Sequence, residues 1–171
     1  MTTILNLTKQ LVAIPSWVDT QTNEIKVGEF IYKFLKRNTC FSVEKEMVVD
    51  SRFNILASNS QDIRTLVMGH MDTVGINNDW KTNPIEPIIK NGKLFGRGAT
   101  DMKSGLAAMM LLATQNNLPK DTGFLFYVDE EYNFAGIKKF ITDYGPKIKP
   151  AAIISLDGSE LNIANGCRGL I

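Results

Sequence analysis

Ile4, Leu7, Leu11 and Ile14 recur at helical spacing and Pro15 stops the pattern, so the chain opens on an amphipathic helix. The spacing predicts a second helix from Asn23 to Arg37. Val27, Ile31, Phe34 and Leu35 turn inward, and Lys33, Lys36 and Arg37 gather at the C-terminal end, where they suit the helix dipole. Phe41 to Val49 alternates loosely, as a strand does. Asn54–Ala57 and Leu66–Gly69 are short apolar strands joined by the polar stretch Ser58 to Arg64. Gly75 to Gly98 is rich in Asn, Pro and Gly and reads as loop, with a short strand at Ile88–Ile89. Met102 to Thr114 is apolar on nearly all sides, the mark of a buried helix. Phe124–Val128 then reads as a strand, Phe134–Tyr144 as an amphipathic helix and Ala151–Leu156 as another buried strand. Strands alternating with helices, several apolar throughout, predict an α/β fold: a mostly parallel mixed sheet with helices on both faces. Without a repeat, a low-complexity tract or a linker, residues 1–171 read as one unit.

Composition supports a packed core and narrows the partners. The 171 residues are 44% apolar and include two Trp, four Tyr and nine Phe, enough to exclude disorder as the dominant state. Nineteen Lys and Arg against 18 Asp and Glu leave a net charge of +1, so no strong field recruits nucleic acid or an acidic membrane. Cys40 and Cys167 are too few for a disulfide scaffold and read as inert thiols. No basic region followed by an apolar run marks the N-terminus, and no run approaches the roughly 20 residues of a membrane span, so a cytoplasmic location is expected. His70 is the single histidine.

The polar residues that end the strands carry the chemistry. Leu66–Gly69 leads into His70-Met71-Asp72, the Gly96–Gly98 loop into Asp101, Phe124–Val128 into Asp129-Glu130-Glu131, and Ile153–Leu156 into Asp157. His70 to Asp101 is 31 residues, Asp101 to Glu130 is 29, and Glu131 to Asp157 is 26, each about one strand–helix–strand step. Ligands of open α/β sheets bind in the crevice outside the carboxyl ends of the strands, so this spacing collects the side chains in one place. Carboxylates gathered there repel one another, and a divalent cation relieves the repulsion. One imidazole with several carboxylates suits Zn2+, and also Co2+ or Mn2+. Each residue also has an ordinary reading. His70 could be a hydrogen-bonded core residue, Asp101 a helix cap, Glu130 and Glu131 solvated charge, and Asp157 a turn residue before Gly158. Gly98–Ser104 superficially suggests a phosphate loop, but Met102 stands where that motif needs Gly. Arg97 reads as a loop-anchoring ion pair rather than a substrate clamp.

Gly69-His70-Met71-Asp72-Thr73-Val74 resembles the His-x-Asp signature of the co-catalytic zinc family of acetylornithine deacetylase, succinyl-diaminopimelate desuccinylase, aminoacylase and glutamate carboxypeptidase. Trp80, Pro84 and the run Gly92 to Gly105 resemble its second signature. Asp129-Glu130-Glu131 and Asp157 match the third and fourth, and Ile14-Pro15-Ser16 and Asn54–Ala57 are similar to the family's opening. The resemblance implies hydrolysis of the amide bond of an N-acyl amino acid or small peptide. His70 and Asp157 would bind one zinc, Glu131 a second, and Asp101 would bridge them. Asp72 would accept a hydrogen bond from the far nitrogen of His70 and fix its tautomer. Glu130 would act as general base and acid, taking a proton from a water whose pKa the cation lowers to about 7. The family also implies a cis peptide between Asp101 and Met102.

In this family a lid domain interrupts the catalytic domain, often contributes a histidine across a homodimer, and is followed by a segment that supplies another metal-binding histidine. The chain has His70 alone and ends on the apolar run Gly166-Cys167-Arg168-Gly169-Leu170-Ile171. The expectation is therefore the N-terminal portion of a catalytic domain, with an inactive metal-binding fragment as the alternative reading.

Overall fold

The computed structural model describes residues 2–157. Helix α1 (Ile4–Val12) begins at Thr3, whose hydroxyl accepts from the Asn6 amide, and buries Leu7, Leu11 and Val12. Helix α2 (Ile25–Asn38) follows, with Val27, Ile31 and Leu35 inward and Lys36 and Arg37 in its last turn. Then come β1 (Ser42–Val49), β2 (Arg52–Ser58), β3 (Thr65–His70), the short pair β4 (Ile88–Lys90) and β5 (Lys93–Phe95), α3 (Ser104–Ala113), β6 (Thr122–Tyr127), α4 (Ala135–Tyr144) and β7 (Ala152–Ser155).

Among the described residues the main sheet has the order β1-β2-β6-β3-β7. β3 runs parallel to both β6 and β7, whereas β2 is antiparallel to β1 and β6, giving a mixed sheet. Side chains alternate across it as the pleat requires. Ile55, Val67, Phe124 and Phe126 face a core shared with α1, α2 and α3. Leu56, Leu66, Leu125 and Tyr127 face the opposite way, where Phe140 of α4 covers them. Helix α3 is apolar all round because it lies within the larger core, packed on both α1 and the sheet. Gly69 permits this closeness: a Cβ there would stand 2.4 Å from the terminal methyl of Met102.

Two expectations change. The loop from Gly75 to Gly98 contains a small antiparallel hairpin, β4 with β5, where only one short strand is predicted. β7 is a strand as expected, but its four residues are exposed rather than buried, with Ile153 at 59% and Ile154 at 46%. It lies at the end of the sheet, pairs with β3, and belongs to neither apolar cluster of the described residues. The run from Gly166 to Ile171, read above as leading onward, lies outside the described residues. No helix among the described residues is long and apolar enough to cross a membrane.

Candidate metal centre

Parallel β3 and β6 end side by side, with His70 opposite Tyr127, so the residues that follow them share one crevice. His70 is 1% exposed. Its Nδ1 lies 3.1 Å from the backbone oxygen of Asp72, which can only accept, so Nδ1 carries a hydrogen. Nε2 stands 3.0 Å from Oδ1 of Asp101. Burial opposes charge on the ring, but the hydrogen bonds to Asp101 and Asp72 and the charges of both prevail, and the pKa is pushed up to about 10.

Asp101 arrives from an irregular turn over Ala99–Lys103, entered through Gly98 at a φ of 75°, a conformation that glycine adopts without steric cost. The Asp101–Met102 peptide is cis, as the resemblance implies. Asp101 does not cap α3, whose first turn has no side-chain cap. Its hydrogen bond with His70 holds its carboxyl below the ordinary value. Beneath the turn, Lys103 is buried and donates from Nζ to the Ile14 carbonyl at 2.6 Å; burial lowers its pKa to about 7.

Glu130 and Glu131 follow Asp129, whose φ of 68° turns the chain sharply after β6. Both are half-buried. Burial, then the charges of Asp157, Asp72 and Asp101, raise the Glu130 carboxyl against the opposing pull of His70. Burial and then Asp101 raise Glu131. Asp72 departs from its expected geometry. Its carboxylate accepts from the amides of Glu130 at 3.0 Å and Glu131 at 2.9 Å, and its Oδ1 stands 3.5 Å from His70 Nδ1. The backbone carbonyl of Asp72 takes the closer place beside the ring, because the two consecutive amides occupy the carboxylate.

His70, Asp101 and Glu131 each place one ligand atom within 4.8 Å of the other two. Asp157 stands outside that group. It is open to solvent just beyond β7, yet partial burial and then the charge of Asp101 raise its carboxyl. Arg97 anchors a loop, as expected, but without an ion pair: it donates to the Gly75 carbonyl at 2.8 Å and lies over the Trp80 ring at 5.2 Å.

Sequence reasoning passed over Glu24, Arg52 and Asn54. Arg52 is bidentate to Glu24 at 2.7 and 2.6 Å and reaches Asp129 at 2.7 Å. Asn54 bonds Val128, Gly136 and Glu46. The available signal was two polar residues at alternate positions of a strand that is buried from Arg52 to Ala57, where each needs a partner.

Residues 66–167 match the sequence profile of peptidase family M20/M25/M40, more than half of the chain. The chain belongs to this family. Among its curated relatives, a probable carboxypeptidase of Aspergillus clavatus is 32% identical over 98% of this chain and 42% of its own length. A succinyl-diaminopimelate desuccinylase of Buchnera aphidicola is 36% identical over 75% of this chain and 35% of its own. The chain therefore spans well under half the length of these curated relatives. The crystal structure of an M20 family metallo-carboxypeptidase from Sulfolobus solfataricus shares the fold, with a TM-score of 0.75 at 18% identity over 91% of this chain and 37% of that one.

Proposed function

We propose that the protein is a metal-dependent hydrolase that cleaves the amide bond of an N-acyl amino acid or a small peptide. The observation that carries this reading is the meeting of His70, Asp101 and Glu131 at the carboxyl ends of β3 and β6. The donor set fits a divalent cation. A nitrogen and two carboxylates lie close together, and Glu131 and Asp157 are raised by burial and then by the charge of Asp101, a repulsion that a cation would remove. Zinc suits one imidazole with carboxylate oxygens, and cobalt or manganese would also be accepted. As the resemblance implies, His70 and Asp157 would hold one ion and Glu131 a second, with Asp101 shared between them. Bound there, such an ion supplies Lewis acidity and acidifies water.

The chain's own residues supply the rest. Asp72 holds the protonated Nδ1 edge of His70 through its carbonyl, which leaves Nε2 for the ion. Glu130, next to the ligand Glu131 but not among the three converging residues, takes a proton from the attacking water and returns it to the leaving nitrogen. Burial, then the neighbouring carboxylates, shift its carboxyl upward, the direction that favours accepting a proton. The relatives' names, a desuccinylase and a carboxypeptidase, support an amide as the bond cleaved.

The test is hydrolysis of N-succinyl and N-acetyl amino acids and of dipeptides after loading with Zn2+, Co2+ or Mn2+, alongside metal analysis. Metal-dependent release of free amine supports the reading. Stoichiometric metal without turnover would favour the inactive metal-binding alternative, and failure to bind any of the three ions would overturn both.

A further inference from the structure

The backbone amides of the turn that carries Glu130 and Glu131 donate to side chains from distant parts of the sequence, while its carbonyls at Val128 and Asp129 accept from Gly136 and Phe134. Four consecutive amides, from Val128 to Glu131, donate in order to Asn54 at 3.1 Å, Glu24 at 3.0 Å, and the two oxygens of Asp72 at 3.0 and 2.9 Å. Arg52 is the junction of this arrangement. Its guanidinium binds Glu24 through two nitrogens and Asp129 through one, and among the described residues no other cation pairs with either acid. Glu24 is 0% and Asp129 1% exposed, so solvent does not neutralise them.

We propose that Arg52 is a positioning residue for this turn, setting where Glu130 and Glu131 stand against His70 and Asp101. The proposal rests on the hydrolase reading of the site. Glu24 Oε1 accepts from both Arg52 and the Asp129 amide, so the guanidinium fixes the acceptor that fixes the turn. Asp129 also sits at a left-handed φ of 68°, a conformation that a non-glycine residue keeps only when its surroundings impose it. Without the cation, Glu24 and Asp129 repel, and the backbone between β6 and α4 is free to relax. The residues displaced are the two that face the crevice. Buried ion pairs are often replaceable by apolar packing without loss of stability, so three buried charges here are better explained by geometry than by stability.

The experiment uses the full chain with Co2+ alone as probe, comparing Arg52→Lys and Arg52→Met, with His70→Gln as the control on the cation site. Amide hydrogen exchange at residues 129–131 reads the turn. Co2+ affinity and visible absorption read the ligands, and every measurement is made well below each variant's thermal midpoint. In Arg52→Met the three amides should exchange at least ~10-fold faster while α3 stays protected, and Co2+ affinity should fall roughly 10-fold or more. Arg52→Lys, which keeps charge but not the fork, should fall between. A lowered thermal midpoint with wild-type exchange and Co2+ affinity would make Arg52 a stability residue only and overturn the proposal. Should Arg52→Met fail to fold, Arg52→Lys and Asp129→Asn give the same readouts. If wild-type protein does not bind Co2+, or His70→Gln binds it equally well, the hydrolase reading fails, and amide exchange alone still decides the role of Arg52.

Discussion

Replacing Lys103 by Met in the cation-free protein should change the slope of stability against pH. Lys103 titrates at about 7 in the fold and near 10.5 when unfolded. Between those values the unfolded chain carries a proton that the folded chain lacks, so its contribution to stability grows as pH rises. His70 does the reverse. Its pKa is about 10 in the fold against 6.5 unfolded, so the stability it provides is complete below pH 6.5 and is lost as pH rises through 10. Each slope is about 1.4 kcal/mol per pH unit for one proton. Over the shared window they cancel, and the wild type should be nearly flat. Lys103→Met removes one of the pair, so stability should fall by roughly 2–3 kcal/mol from pH 7.5 to 9.5. Loss of the bond to Ile14 shifts the whole curve but not its slope. Urea unfolding at 0.5-unit intervals, with chelator present, measures this, and His70→Gln should give the opposite slope. Equal slopes in all three proteins would refute the assignment of a neutral buried lysine and a charged buried histidine.

Cation binding must displace the proton on His70, so the apparent affinity should rise about tenfold per pH unit below pH 9; calorimetry in two buffers of different ionisation enthalpy should count at least one proton released per ion. Glu130→Gln should keep the metal but lose at least ~100-fold in turnover, whereas Glu131→Gln should weaken metal binding, as read by parallel assay and metal analysis. Gly136→Ala would put a Cβ 2.3 Å from the Val128 carbonyl and 2.6 Å from Asn54 Oδ1, and should cost about 1–3 kcal/mol in urea unfolding.

Periodicity located the long elements because each buries one continuous stripe: α1, α2 and α4 begin and end within two residues of the predicted limits. It failed where neighbours decide. Ile153 and Ile154 look like core from their side chains alone, but their exposure depends on which strands and helices lie beside β7. The hairpin of β4 and β5 is three residues a side, too short for a pattern to emerge. At the site, strand-end spacing brought His70 and Glu131 together because topology fixes where β3 and β6 end, whereas Asp101 reaches them from the turn before α3. It could not find Arg52, Asn54 or Glu24, most of whose partners lie 28 to 105 positions away in sequence. Nor could it foresee that the Asp72 carboxylate is taken up by two backbone amides.

Among the described residues, the two outer strands of the sheet differ in how they meet a second polypeptide. β1 presents Glu44 and Lys45 to solvent, charges that discourage another strand from adding alongside. β7 presents Ala-Ile-Ile-Ser, without charge, with its side chains open on both faces. Such an edge is a template for intermolecular pairing. At high concentration the protein should therefore self-associate through β7, and Ile153→Lys should keep it dispersed, as light scattering would read. Colloidal behaviour in the tube is thus governed at the opposite margin of the sheet from the charged hairpin of β1 and β2.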